Sequence, residues 1–165
     1  MSMAPILALR LILVAVDLCT GGSDPSNLLE SSALDSRRCR DALSGAWELG
    51  SLARDVDEGA VALNIALLES GFDPNARDAT GACGVGQIQS PGMWGTTCER
   101  LSSDLSHSYA VLLHVLRASA VDCPGLYRAA LTTYVSGKCG VATSVAEARC
   151  RRVGRCEVLV VSPEK

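Results

Sequence analysis

The chain has 165 residues, a formal net charge of -3 and 48% hydrophobic residues. This length suits one domain with a buried core, the hydrophobic share excludes a disordered chain, and the negative charge argues against a nucleic-acid partner. Because aromatic residues make up only 4% of the chain, the core must consist mainly of Ala, Val and Leu. Such a core favours close-packed helices over a β-sandwich, so we expect a mainly α single domain.

An apolar run covers residues 6–16 and is interrupted by Arg10. The run is too short for a membrane span, and the polar, small residues that follow suit removal better than anchoring. We therefore predict an export signal over residues 1–22 and a polar linker over 23–36, with no stable membrane span after signal removal. Cys19 also permits a lipoprotein interpretation, although Leu18 before it is larger than the small residue that such processing usually requires.

Eight cysteines are present, which is typical of proteins from oxidising compartments. We expect an exported protein, periplasmic or secreted, and a disulfide-stabilised fold. Many pairings are open, and we suggest two of them, Cys83 with Cys98 across the loop and Cys123 with Cys139 flanking the helix before Tyr134. If Cys19 left with the export signal, seven cysteines would remain and one would lack a partner within the chain.

A metal site is the competing explanation for so many cysteines, and the sequence does not support it. No Cys-x-x-Cys occurs, and His107 and His114 lack the intervening acid of the zinc-protease pattern. We expect the two histidines to be surface or packing residues. No metal or other cofactor is predicted.

Helical patterns begin after the linker. The first covers about residues 37–50, with Trp47 directed inward, and the second runs from about Asp57 to Glu69, with Asp55 or Asp57 as its N-cap. A loop over about 71–97 follows. We then expect a helix over 105–119 whose core residues are Leu112, Leu113, Val115 and Leu116.

Two more helices are predicted over 125–134 and 144–152, and an extended stretch over 157–162. The domain is therefore expected to span residues 37–156, with a tail over 157–165. Its cleft should lie between helices, under the loop.

Glu69 is the main candidate for chemistry. It lies in the last turn of its helix, because Gly71 can adopt the left-handed conformation and Pro74 cannot continue a helix. It also borders an apolar stripe formed by Val61, Ile65 and Leu68. Half-burial and the backbone carbonyls at a helix C-terminus both disfavour an ionised carboxylate, so we expect the pKa of Glu69 to be raised. An ordinary Glu in a last helical turn is the alternative.

The segment after Glu69 is rich in glycine. Gly81, Gly84 and Gly86 permit positive φ and allow the backbone to approach a ligand closely. Gln87 carries both a donor and an acceptor, which suits the acetamido and hydroxyl groups of a sugar. Taken alone, this segment would be a glycine-rich surface turn, but its distance from Glu69 favours a shared site.

These motifs resemble those of the lytic transglycosylases of bacterial cell walls, a lysozyme-like family. Residues 69–72, Glu-Ser-Gly-Phe, match the family's Glu-Ser motif, and residues 73–76 continue it. Residues 81–88 match its Gly-rich turn leading into a Gln, with Gly86 where the family commonly has Met. Residues 133–137 answer the family's Ala-Tyr-Asn-Ala-Gly motif, but only Tyr134 and Gly137 are kept and Val135 replaces the Asn. The resemblance covers about residues 47–153.

The resemblance implies a lysozyme-like domain in which Glu69 alone acts as general acid and then base on peptidoglycan, forming 1,6-anhydro-N-acetylmuramic acid ends. It further implies that Ser70, Gln87, the backbone at Ile88 and Tyr134 line the sugar site. Trp94 has two open interpretations, stacking on a sugar face or packing into the core.

Two other functions stay open. A hydrolytic lysozyme would need a second carboxylate, and Asp73, Asp78 and Glu99 are the nearby candidates, although their spacing does not direct them towards Glu69. A catalytically weak peptidoglycan-binding protein is the other alternative, favoured by Val135. The biological role is open as well: wall remodelling, an accessory role for a secretion or conjugation apparatus, or a phage product.

Overall fold

The computed structural model describes residues 4–21 and 36–122. In these ranges the protein forms helices α1 (Ala4–Thr20), α2 (Arg37–Leu52), α3 (Val56–Ser70), α4 (Cys98–Ser103) and α5 (Leu105–Asp122), with a 3-10 helix at Pro91–Trp94. The expected mainly α fold class is confirmed, and α2, α3 and α5 begin and end close to the predicted positions. The short α4 does not follow from the apolar pattern. The elements predicted over 125–134, 144–152 and 157–162 lie outside the described residues.

Local sequence explains where the helices begin and end. The Ser36 hydroxyl caps α2 by accepting a hydrogen bond of 3.2 Å from the N–H of Cys39. Asp55 caps α3 by accepting one of 2.8 Å from the N–H of Glu58. Both contacts satisfy donors that the first turn of a helix leaves unpaired. Helix α3 ends at Gly71, whose φ of 64° is the left-handed conformation expected there.

A shared apolar cluster joins α1, α2, α3 and α5. Helix α3 is buried on almost every side from Glu58 to Ala66, because α1, α2 and α5 all contact it. Of the residues predicted as the core of α5, Leu112, Leu113 and Leu116 are buried in this cluster, while Val115 packs against a second cluster under the loop. Members of the first cluster without any exposed surface include Leu11, Leu49, Leu63, Ile65 and Leu112.

Small residues allow α2 to lie very close to its neighbours. A Cβ atom at Gly45 would overlap the Tyr109 ring of α5, and one at Gly50 would overlap the backbone of Ala8 in α1. This face has no room for an indole, and Trp47 lies outside it, 63% exposed. The prediction that Trp47 packs inward is therefore wrong.

Helix α1 packs against both α2 and α3. Leu11, Ala15 and Leu18 are buried in the core, and a disulfide joins Cys19 to Cys39 in α2 with a Cα–Cα distance of 5.1 Å. Among the described residues, none of the helices combines the length and apolarity that crossing a bilayer would need. The export signal over 1–22, the linker over 23–36 and the other domain boundaries stay predictions.

The second disulfide joins Cys83 and Cys98, the pair suggested across the loop. The proposed pair Cys123 and Cys139 lies outside the described residues. Disulfides form and persist in oxidising compartments. The two crosslinks therefore indicate an oxidising, exported setting for this protein.

Candidate functional site

Glu69 is half-buried in the last turn of α3. The turn that follows is held by the backbone, because the N–H of Phe72 donates to the carbonyl of Ala66 at 3.1 Å. Phe72 itself has a positive φ of 71° and is fully buried. Burial of this ring offsets the cost of a left-handed conformation in a residue other than glycine. The direction in which the chain leaves Glu69 is thus determined by a buried anchor three residues later.

Ser70 connects the end of α3 to the Gly-rich segment. Its Oγ lies 2.8 Å from the carbonyl oxygen of Val85 and 3.0 Å from that of Ala66. A hydroxyl has one proton, so it donates to one of these carbonyls or shares the proton between them. The contact with Val85 places the Gly-rich segment against the residue next to Glu69. Of the predicted site residues, Ser70 therefore contacts the segment that carries Gln87 and Ile88, and Glu69 precedes Ser70 in the chain.

Residues 81–89, called the Gly loop below, form a compact double turn. Cys83 and Ile88 exchange both of their backbone hydrogen bonds, at 3.3 and 2.8 Å, and the N–H of Gly84 donates to Ala76 at 3.1 Å. Gly84 has a φ of 77°, and a Cβ atom there would come within 3.1 Å of both Leu101 and Ser108. Only glycine suits this position, because the conformation and the close approach of α4 and α5 both exclude a side chain.

Gln87 and Ile88 are engaged inside the Gly loop. The amide nitrogen of Gln87 donates to the carbonyls of Ala76 at 3.0 Å and of Gly84 at 3.2 Å. Ile88 is buried, and its backbone N–H and carbonyl both pair with Cys83. These contacts give both residues a part in shaping the loop. Their contact with a sugar stays a prediction.

A disulfide also attaches the Gly loop to α4. It joins Cys83 to Cys98, with a Cα–Cα distance of 5.6 Å. Beneath it lies a second buried cluster, against which Trp94 packs, with its ring edge-on to His114 at 5.6 Å between centroids. This contact supports the packing interpretation of Trp94. The buried members of the cluster are Cys83, Ile88, Leu101 and Val111.

The three other nearby carboxylates form hydrogen bonds or ion pairs with neighbouring residues. Asp73 pairs with an arginine of α2 at 3.2 Å. Asp78 accepts hydrogen bonds from the Thr80 hydroxyl and then from backbone N–H groups, which lowers the pKa of Asp78. The pKa of Glu99 is lowered too, first by its own backbone N–H and then by the side chain of Arg77. These contacts stabilise Asp78 and Glu99 as anions.

Sequence reasoning missed a buried ion pair at the start of α3. The guanidinium of Arg117 in α5 donates a hydrogen bond of 2.8 Å to each carboxylate oxygen of Glu58. It also donates one of 3.2 Å to the Leu52 carbonyl. Burial alone would raise the pKa of Glu58, but the hydrogen bonds from Arg117 and from the N–H of Arg54 lower it overall. The Asp55-x-x-Glu58 spacing has the form of a capping box and could have marked Glu58. No local signal points to Arg117, 59 residues further on.

The two histidines take part in packing contacts. His107 lies 2.9 Å from the Thr96 hydroxyl through its Nε2. Across residues 4–21 and 36–122, no group of His, Cys, Asp and Glu side chains is arranged to hold a metal ion. Tyr134, the remaining predicted site residue, lies outside the described residues.

The described part of the site thus consists of Glu69, a half-buried residue at a helix end, and the Gly loop, which the neighbouring Ser70 contacts. Comparison of the chain with models of protein families, with curated proteins and with solved structures finds no match.

Proposed function

We propose that this protein is a lytic transglycosylase with a lysozyme-like domain, which cleaves the bond between N-acetylmuramic acid and N-acetylglucosamine in peptidoglycan. The observation that carries the proposal is the 2.8 Å contact between Ser70 and Val85. It supports a site in which the residue next to Glu69 contacts a glycine-rich loop whose backbone can approach a sugar. The motif resemblance over residues 69–76 and 81–88 supplies the reaction.

In the proposed mechanism Glu69 first donates its proton to the glycosidic oxygen. The C1–O bond breaks, and the acetamido oxygen of the muramoyl residue stabilises the positive charge at C1. The carboxylate of Glu69 then removes the proton of the C6 hydroxyl, whose oxygen attacks C1. Glu69 is protonated again, no water is consumed, and a 1,6-anhydro sugar is formed.

The surroundings of the other carboxylates favour this route over hydrolysis by two carboxylates. A hydrolase needs a second group about 5 to 9 Å from the acid, free to act as nucleophile or base. Local hydrogen bonds or an ion pair already engage the carboxylate oxygens of Asp73, Asp78 and Glu99. We therefore assign them to loop structure. The motif resemblance implies that Tyr134 forms a hydrogen bond near Glu69.

The test is the mass of the products released from purified peptidoglycan. A transglycosylase yields anhydro-muropeptides, each one water lighter than the corresponding hydrolysis product. Release of reducing ends alone would identify a hydrolytic lysozyme instead. Release of neither would favour a catalytically weak peptidoglycan-binding protein.

Two variants separate the roles of the carboxylates. Glu69→Gln should lower the rate by about 100-fold or more, since it removes the group that transfers the proton. Glu99→Gln is the matched control, because it removes an exposed carboxylate that already pairs with Arg77. Circular dichroism should show both variants folded. A loss of activity in Glu99→Gln as large as in Glu69→Gln would replace this mechanism with one that uses two carboxylates.

The proposed setting is the periplasm or the cell exterior, where peptidoglycan strands are the partner. The two disulfides support an oxidising compartment. An accessory role for a secretion or conjugation apparatus would suit one domain that opens a gap in the wall.

A further inference from the structure

We infer that α1 stays in the mature protein as a core helix crosslinked through Cys19, and is not removed as part of an export signal. This inference does not depend on the proposed enzymatic function. It replaces the processing expected for residues 1–22 and also excludes lipid attachment at Cys19, because the disulfide uses the thiol that a lipid would need.

The first argument is burial. Leu11 and Ala15 have no exposed surface, Leu18 is 5% exposed, and all three belong to the same cluster as Leu49 and Ile65. An export signal that is cut off leaves behind a domain able to bury its own core. Removal of α1 here would uncover the apolar faces of α2 and α3 that it covers, and exposed apolar area of this kind is costly in water.

The second argument is the fit between α1 and its neighbours. The Leu11 Cδ1 atom lies 2.6 Å from the place where a Cβ of Gly59 would be, and Gly50 meets the backbone of Ala8 in the same way. Glycine inside a helix destabilises it by about 0.5 to 1 kcal/mol relative to Ala. Two glycines in α2 and α3, each at a contact with α1, are explained if those helices evolved against a helix that remains in place.

The third argument is the pairing of cysteines. Cys39 is fully buried, and its partner is Cys19. Loss of Cys19 would leave a buried unpaired thiol in α2 and an odd number of cysteines in the remaining chain, since the whole chain has eight. With Cys19 retained, the number of cysteines is even, so each one can pair within the chain, as is usual in an oxidising compartment.

The experiment is mass spectrometry of the full chain after export, purified without a reducing agent. Retention predicts an intact mass that includes residues 4–22 and a proteolytic fragment in which Cys19 is linked to Cys39. A chain that begins near residue 23 would overturn the inference, as would a chain that begins at Cys19 and carries lipid. A full-length chain in which Cys19 and Cys39 both react with a thiol reagent would overturn it too.

A second measurement applies even where export fails, since it uses the full chain refolded under oxidising conditions. Leu11→Ala and Leu13→Ala remove the same atoms from the same helix, but Leu13 is 66% exposed. The burial argument predicts a lower midpoint of thermal unfolding for Leu11→Ala and an unchanged midpoint for Leu13→Ala. Equal midpoints would mean that α1 does not contribute to the core.

Discussion

Replacing Ser70 by Ala should release the Gly loop from the end of α3. The substitution removes the hydroxyl that lies 2.8 Å from the Val85 carbonyl, and Val85 is fully buried. A buried acceptor left without its donor costs about 1 to 3 kcal/mol. If this cost falls on the closed loop, the open form becomes about 5 to 150 times more populated, since 1.4 kcal/mol corresponds to about tenfold.

Limited trypsin digestion measures that population. Arg77 precedes the loop and has a half-exposed side chain, and cleavage after it follows the open form when opening and closing are fast. We expect Ser70→Ala to raise the initial cleavage rate at the bond between Arg77 and Asp78 by that factor. Peptidoglycan cleavage should fall in parallel.

Ser102→Ala is the matched control. The Ser102 hydroxyl also donates to the carbonyl four residues earlier, that of Cys98, at 2.9 Å, and its hydrogen bond thus stays within α4. Its removal should change cleavage after Arg77 by less than about twofold, because the helical carbonyl of Cys98 loses only a supplementary donor. Equal cleavage rates for the wild type, Ser70→Ala and Ser102→Ala would refute the role assigned to Ser70.

Three further outcomes are expected. Glu58→Gln should lower the free energy of unfolding by about 3 kcal/mol, measured by urea titration. This is the lower end for a broken buried ion pair, because Arg117 is partly exposed. The control Asp57→Asn changes an exposed carboxylate and should have little effect. The pKa of Glu58 is lowered from 4.5. The ionised Glu58 therefore stabilises the fold fully above that value, and this stabilisation is lost as pH falls through the lower pKa of the folded state. The drop in urea midpoint between pH 7 and pH 3 should be smaller in Glu58→Gln than in the wild type, and an identical drop would contradict this. Gly84→Ala should lower the free energy of unfolding by more than about 1 kcal/mol, because Gly84 combines positive φ with close neighbours. Gly92→Ala should leave it almost unchanged, because a Cβ there meets no atom within 4 Å. Thermal unfolding of both variants checks the difference.

Local features of this protein followed from its sequence. The end of α3 at Gly71 and the approximate bounds of α2, α3 and α5 were predicted, because helix termination depends on residues a few positions apart. The N-cap of α3 was narrowed to Asp55 or Asp57, and the structure selects Asp55. The Cys83–Cys98 pair was suggested as a crosslink across the loop and is confirmed, and a short loop brings its ends together at modest entropic cost.

The features that only the tertiary structure decided depend on residues far apart in the chain. Trp47 is exposed because the face of α2 beside it is filled by α1 and α5. Glu58 is an ionised group in the core because Arg117 reaches it from α5, and an apolar N-terminal run is a packed helix because α2 and α3 offer small residues against it. In each case the free energy comes from burial or ion pairing between helices, which periodicity within one helix does not specify.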